Sequence, residues 1–385
     1  MLRVLQIYKD YYPPVFGGIE KHLSLLCAKL SLVAHVDVLV ANRKAQTEQE
    51  FINGIKVLKA GTFGRLLSAP LSPLFGSYLS RERYDILHFH LPNPTAVLSY
   101  LLVRPPGAVV VTWHSDIVRQ RSFLPLYRPF LMRFLNLCDA ILPTSERYAR
   151  TSPFLTLHLD KCHPIPLGID VSRFSPTEKI KHQAAELRAT YGGRVVLFVG
   201  LLRYYKGLKF LIDAMQSLDA TLVIVGEGPM RAELESYCQE RRLKVKVFFA
   251  GAVDEEILPA YYHSCDVFCL PSIYRSEAFG VSQLEAMACG KPVVSTALDT
   301  GVPYVNLDGK TGLIVPPMDS AALAEALRSL LSDQVLAARL GEAARGRVLT
   351  EFTAEEMAQS VLAVYRSLVE RRKAKGSGKS DLGLR

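Results

Sequence analysis

Two carboxylates eight positions apart, Glu277 and Glu285, stand in the stretch Ser276–Pro292 with Phe279 and Gly280 between them. The spacing predicts a loop followed by a short helix that stops at Gly290, with Pro292 two residues on. A helix beginning near Gly280 would present the N–H groups of Gly280, Val281 and Ser282 to phosphate oxygens, aided by its dipole. Glu285 lies between Leu284 and Ala286 in an otherwise apolar helix. It reads as a buried carboxylate in need of hydroxyl donors. For Glu277 alone, helix capping is the competing role.

Further candidates stand where a strand gives way to a helix. In Gly200–Gly207, Arg203 and Lys206 have the charge and reach to hold a diphosphate, and Gly207 lets a helix begin close to it. A solvated basic turn is the plainer reading. Gly17 and Gly18, after Phe16, permit close approach of backbone to a ligand. His114 follows another strand end, where a structural role is the alternative. His88 and His90 alternate on a strand without a third ligand, so no metal site is expected there.

The elements that must position these residues alternate along the chain. Strands are expected at Leu2–Tyr8, Val36–Val40, Ile86–Phe89, Val109–Thr112 and Ala140–Leu142, then at Val195–Val199, Thr221–Val225, Val245–Phe249, Val267–Leu270 and Pro292–Ser295. Helical patterns separate them, and three more close the chain: Ser320–Leu331, Val335–Leu349 and Ala354–Glu370. Such alternation predicts parallel sheets covered by helices, an α/β fold of two doubly wound Rossmann-like domains facing a central cleft. The Pro- and Gly-rich segment His163–Asp170 and the polar stretch Ser172–Ala189 read as the linker. The expected domains are 1–170 and 171–350, with a helix over 351–370 packing back on the first and a basic disordered tail over 371–385.

Composition narrows the class. The chain has 385 residues, of which 49% are hydrophobic and 22% charged, ordinary for a globular α/β protein. Its net charge of +9 is uneven. Residues 1–170 and the tail carry the excess of Lys and Arg, whereas 171–370 is slightly acidic, so the first half is suited to an anionic partner. The seven cysteines are scattered without a CxxC pair and read as small buried hydrophobes in a reducing compartment. The N-terminal stretch reads as a strand rather than a signal peptide, and no run approaches a membrane span. A cytoplasmic protein is expected, either free or on the cytoplasmic face of a membrane.

The stretches YPPVFGGIEKH, DILHFH, TWHSD, IPLGID, VGLLRYYKG, GEGP, PSIYRSEAFGVSQLEAMACGKPVV and GKTGLIVPP, in this order and over nearly the whole chain, resemble the retaining glycosyltransferases of family 4, which have the GT-B fold. The resemblance implies that Glu285 binds the donor ribose and that Glu277 meets donor-sugar hydroxyls beside the backbone N–H groups of Phe279, Gly280 and Val281. Arg203 and Lys206 would neutralise the departing diphosphate. Gly17 and Gly18 would face the phosphates and acceptor, and His114 the transferred sugar. Family members often carry Arg where this chain has Leu201; Arg203 is the substitute.

No Asp-x-Asp motif is present, and Asp254–Glu256 reads as the acidic first turn of a helix, so metal-independent chemistry without a cofactor is expected. No carboxylate is secure as the nucleophile of a double displacement, and the resemblance favours same-face transfer. The motifs do not specify the donor; resemblance in RYYKG and SEAFGVSQLEAMACGKPVVST leans towards GDP-mannose and bacterial surface-polysaccharide assembly, with UDP-sugars open. Arg119–Leu137 mixes basic with apolar residues, either a membrane-surface helix beside a lipid-linked acceptor or a helix packed inward with Arg at its rim. Rival readings are a GT-B sugar-nucleotide epimerase, a basic nucleic-acid binder and a sugar-binding module without activity. Aromatic residues are not arranged as stacking platforms, so nucleic acid is not an expected partner.

Overall fold

The structure, a computed structural model, describes residues 1–15, 17–66, 69–117 and 124–380, with side chains to 374. Phe16 and the segment 119–123 of the expected membrane-facing stretch lie outside the described residues. Two compact units divide the chain: Met1–Gly168 with Ala354–Arg385, and Ile169–Thr353.

The first unit holds β1 (Arg3–Ile7), β2 (His35–Ala41), β3 (Glu48–Ile52), β4 (Ile55–Ala60), a two-stranded ribbon of β5 (Arg65–Leu66) and β6 (Ala69–Pro70), β7 (Ile86–Leu91), β8 (Ala108–Trp113) and β9 (Ala140–Pro143). Its main sheet runs β3-β4-β2-β1-β7-β8-β9, parallel except for β3 against β4. On one face the helix Gly18–Leu30 buries Leu23, Leu26, Cys27 and Leu30, a one-sided apolar stripe at helical spacing, together with Met357, Val361 and Tyr365 of the C-terminal helix. On another, Phe134 of the helix Leu124–Leu137 meets Phe89 and Tyr100 edge-on.

The second unit holds β10 (Val195–Val199), β11 (Thr221–Val225), β12 (Val247–Gly251), β13 (Val267–Leu270), β14 (Val293–Thr296) and β15 (Gly312–Val315) in an all-parallel sheet of order β12-β11-β10-β13-β14-β15. These strands are continuous apolar runs, as a sheet covered on both faces requires. Leaving aside the antiparallel edge strand β3, the strand order in each sheet reverses once, between β1 and β7 and between β10 and β13. Ligands of doubly wound sheets sit beyond the strand ends at such a reversal.

Three expectations need correction. The stretch Ser172–Ala189 is not a linker throughout: Glu178–Tyr191 is a helix, capped by Thr177, that packs Ile180 and Ala184 on Ala260. Asp254–Glu256 precede their helix, which starts at Leu258, and Glu255 and Glu256 pair with Arg173 and Lys179 instead. The last helix runs from Ala354 to Ser380, so 371–380 is helical rather than disordered tail, and 381–385 lies outside the described residues. No helix among the described residues is long and apolar enough to cross a membrane.

Candidate functional site

In the second unit the loops after β10 and β13 meet at the reversal. Val199 leads through Gly200 into a 3-10 turn, Tyr204–Lys206, ended by Gly207 at φ +69°. A side chain at Gly207 would strike the Pro271 carbonyl of the other loop, so backbone packs directly on backbone here. The Ile273 N–H donates to the Tyr205 carbonyl at 2.8 Å and ties the loops together.

This contact brings Lys206 to Glu277. Their side chains are both about nine-tenths buried, and Lys206 Nζ donates to Glu277 Oε2 at 2.5 Å. The Ser272 hydroxyl donates to the same oxygen at 2.9 Å. Burial pulls the Lys206 pKa down, but the Glu277 carboxylate outweighs it, and the net shift is upward from the usual 10.5. Lys206 therefore stays a cation at any working pH. Arg203, exposed, stands near enough to oppose that charge. Leu201 is exposed beside it.

The helix after β13 begins at Val281 with Gly280 as its N-cap, at φ +77°, and no side chain caps it. Glu277 therefore does not cap the helix; its carboxylate belongs to Lys206 and Ser272. Phe279 is core, its ring set against Phe352, which leaves its backbone as the part available to a ligand. Glu285 differs from the sequence expectation. It is half-buried, and it already accepts the Tyr262 hydroxyl at 2.5 Å. A carboxylate has two oxygens and about four lone-pair sites, so this partner leaves room for hydroxyls of a ligand.

The first unit gathers a second set of polar groups at its own reversal. Gly17 caps the helix Gly18–Leu30, and the Glu20 carboxylate folds back over it, into the place a Gly17 side chain would take. Burial, the largest influence, raises the Glu20 pKa against a lowering backbone hydrogen bond. Nearby Asp10 receives Arg65, one contact at 2.9 Å. An acid thus stands over the glycine that the sequence had facing phosphates.

Behind it lie four buried histidines. His88 and His90 come from β7, His114 from the loop after β8, and His22 from the first helix. The third partner that sequence spacing did not offer arrives from elements far apart in the chain: ligand atoms of His22, His90 and His114 lie within 4.8 Å of one another. Both nitrogens of His90 are nonetheless engaged, Nδ1 with His114 Nε2 at 2.9 Å and Nε2 with Gln6 Oε1 at 2.8 Å. The two rings are within 18° of parallel, with centroids 5.2 Å apart. With nitrogens only 2.9 Å apart, the rings meet nose to nose along the hydrogen bond. One of these nitrogens donates and the other accepts, while both nitrogens of His22 and Nδ1 of His114 have no partner among the described residues. Burial depresses the pKa of all four rings, to about 4 for His22 and about 3 for His88, so the cluster is neutral.

Sequence reasoning reached Lys206, Glu277, Glu285 and His114. It missed His22, Gln6, Tyr262, Ser272 and Tyr365, which carry no motif of their own.

Two family descriptions match the chain: Glycosyltransferase Family 4 over residues 16–173, and Glycosyl transferases group 1 over 180–347. The chain is 35% identical to the O-antigen chain mannosyltransferase C of Escherichia coli, over 96% of its own length and 99% of that protein's. It is 38% identical to the D-rhamnosyltransferase WbpZ of Pseudomonas aeruginosa, over 92% and 93%. Among solved structures, the sucrose-phosphate synthase of Thermosynechococcus elongatus superposes with a TM-score of 0.82 at 25% identity, covering 96% of this chain and 100% of that one.

Proposed function

This chain belongs to the glycosyltransferases of family 4 and group 1, with the GT-B fold, and from that premise we propose a finer reading. It moves a hexose from a nucleotide-diphosphate sugar, GDP-mannose before UDP-sugars, to a lipid-linked or polysaccharide acceptor, with retention at the reacting carbon. The observation that carries the reading is the buried Lys206–Glu277 pair at the β10/β13 reversal.

A diphosphate leaving group needs positive charge already in place as its bond breaks. Lys206 supplies it from a buried position, and exposed Arg203 adds a second cation beside it. Glu277, fixed by Lys206 and Ser272, takes sugar hydroxyls near the reacting carbon. The backbone N–H groups of Phe279, Gly280 and Val281 take phosphate oxygens at the uncapped helix start. Glu285, steadied by Tyr262, binds the ribose. Gly17 and Gly18 face the phosphates and acceptor, with Glu20 then having to turn away from Gly17. His114 meets the transferred sugar. Same-face departure lets the leaving phosphate take the acceptor proton, so the chemistry needs neither a metal nor an enzymic nucleophile. That Glu277 Oε2 already receives two hydrogen bonds suits a positioning group better than a nucleophile.

Membrane contact belongs to the same reading. The helix Leu124–Leu137 buries Leu131, Phe134 and Leu135 and exposes Leu126, Phe130, Arg128 and Arg133. Apolar and basic residues sharing one outer face suit the headgroup region of an anionic leaflet.

The test is thermal shift against GDP-, UDP- and ADP-sugars, followed by transfer from the stabilising donor in the presence of EDTA. GDP-mannose should stabilise the protein most, and its sugar should move to acceptor in chelator. An isomerised nucleotide sugar formed without acceptor would replace the transfer reading with an epimerase. Loss of transfer in chelator would overturn metal independence.

A further inference from the structure

Tyr365 lies on the C-terminal helix and Gln6 on the innermost strand, yet both reach the histidines of the first unit. Gln6 Nε2 donates to the Tyr365 hydroxyl at 3.1 Å, and that hydroxyl lies 2.5 Å from His88 Nδ1. His88 Nε2 in turn lies 2.7 Å from Thr112 Oγ1. These bonds leave little freedom in the proton positions. With its N–H₂ spent on Tyr365, the Gln6 amide offers only its oxygen to His90, so His90 Nε2 carries the proton. His90 Nδ1 is then a bare lone pair, and His114 must donate to it from Nε2. His114 Nδ1 is left as an acceptor, and it has no partner among the described residues although the ring is almost wholly buried.

Turning the Gln6 amide over would reverse every link. His88, His90 and His114 would then all carry their protons on Nδ1. With the Gln6 amide donating to Tyr365, all three follow on Nε2, the form that neutral histidine prefers by itself. Three small preferences act together on one chain, and a connected network fixes them more firmly than separate bonds would.

Resting on the reading that His114 meets the transferred sugar, we infer that the chain Tyr365–Gln6–His90 sets the tautomer of His114 and presents its Nδ1 as a hydrogen-bond acceptor for a sugar hydroxyl. An acceptor lone pair takes a hydroxyl and repels an anionic oxygen, so His114 recognises the neutral sugar and not the diphosphate. His90, Gln6 and Tyr365 are positioning residues that touch no substrate. A buried acceptor left bare is costly, and a substrate hydroxyl would relieve that cost.

Long-range 1H–15N correlation spectra of the full chain, labelled with 15N-histidine, report which ring nitrogen is protonated and need no substrate. His88, His90 and His114 should each show a protonated Nε2 in the free protein; a protonated Nδ1 on His114 overturns the inference. In His90→Leu the His114 signal should become a mixture of tautomers. Its kcat should fall about 10- to 100-fold with KM for the nucleotide sugar unchanged. In His90→Asn a side-chain oxygen stands near the lost Nδ1 and should restore the single tautomer and most of the rate. Tyr365→Phe, which keeps the ring, should loosen the tautomer in the same direction. A single His114 tautomer and full kcat in both His90→Leu and Tyr365→Phe would refute the role of the chain. No transfer from any nucleotide sugar, with the Nε2 protons in place, would sink the proposed function and leave the polarity of the chain standing. Transfer with His114 protonated at Nδ1 would do the reverse.

Discussion

The two reversal sites solve the same problem, polar groups inside an apolar fold, in opposite ways. The second unit keeps full charges and satisfies them locally, with Lys206, Glu277 and Ser272 in one knot. The first unit's cluster removes charge instead: burial holds four imidazoles neutral. A charged pair resists pH but tolerates no missing partner. A neutral network tolerates rearrangement but fails when protons are added.

The sharpest way to break that contrast is to remove one partner of the pair. Lys206→Ala should lower kcat by about 10²–10³-fold, the scale seen when one charge-stabilising donor is lost. It should also cost about 3–5 kcal/mol in chemical denaturation, because Glu277 is left buried and uncompensated. Replacing both partners, Lys206→Met with Glu277→Met, should recover most of the stability and none of the activity. A double variant no more stable than Lys206→Ala would mean that the knot is not a closed pair.

Acid tests the other side. The folded pKa of His22 is lowered from 6.5 to about 4, so its neutral form contributes stability that is whole above pH 6.5. That contribution is lost as pH falls from 6.5 towards 4, because the unfolded chain binds the proton more readily. For His22 alone it amounts to roughly 3 kcal/mol. Urea midpoints should fall steeply over that window, and His22→Gln should flatten the slope. The Lys206 pair gives the opposite sign: its raised pKa holds stability below 10.5, lost only above it. A slope unchanged by His22→Gln would deny the cluster its acid sensitivity.

Two glycines sharpen the comparison at smaller scale. Gly280→Ala, at φ +77° and against Leu270, should cost about 1–2 kcal/mol and weaken nucleotide binding. Gly17→Ala, in extended backbone, meets only the movable end of Glu20, so a thermal scan should register less than about 1 kcal/mol.

Legibility followed the same divide. The charged site was readable because its parts lie in two short loops after strong apolar strands, and the reversal at β10/β13 brings those loops together. The histidine network was not. Gln6, His22, His88–His90, His114 and Tyr365 come from five places in the chain, and only the sheet order makes them neighbours. The hairpin of β3 and β4 was missed although Asn53–Gly54 stands at its turn, both at positive φ, a sequence signal for such a connection. The helix Glu178–Tyr191 reads as linker in the sequence because it buries little beyond Ile180 and Ala184, too thin a stripe to register as amphipathic. The strand Gly312–Val315 is short and follows a polar turn, Asp308–Thr311, which hid it.

The C-terminal helix has a bearing on how the chain is made. Met357, Val361 and Tyr365 complete a core begun by Val4 and Leu23, while the whole second unit lies between them in sequence. On the ribosome, the unit synthesised first is therefore finished last. Its apolar face and the Gln6 end of its histidine chain wait uncovered until the final helix emerges. A chain cut at residue 168 would lack one wall of its own core.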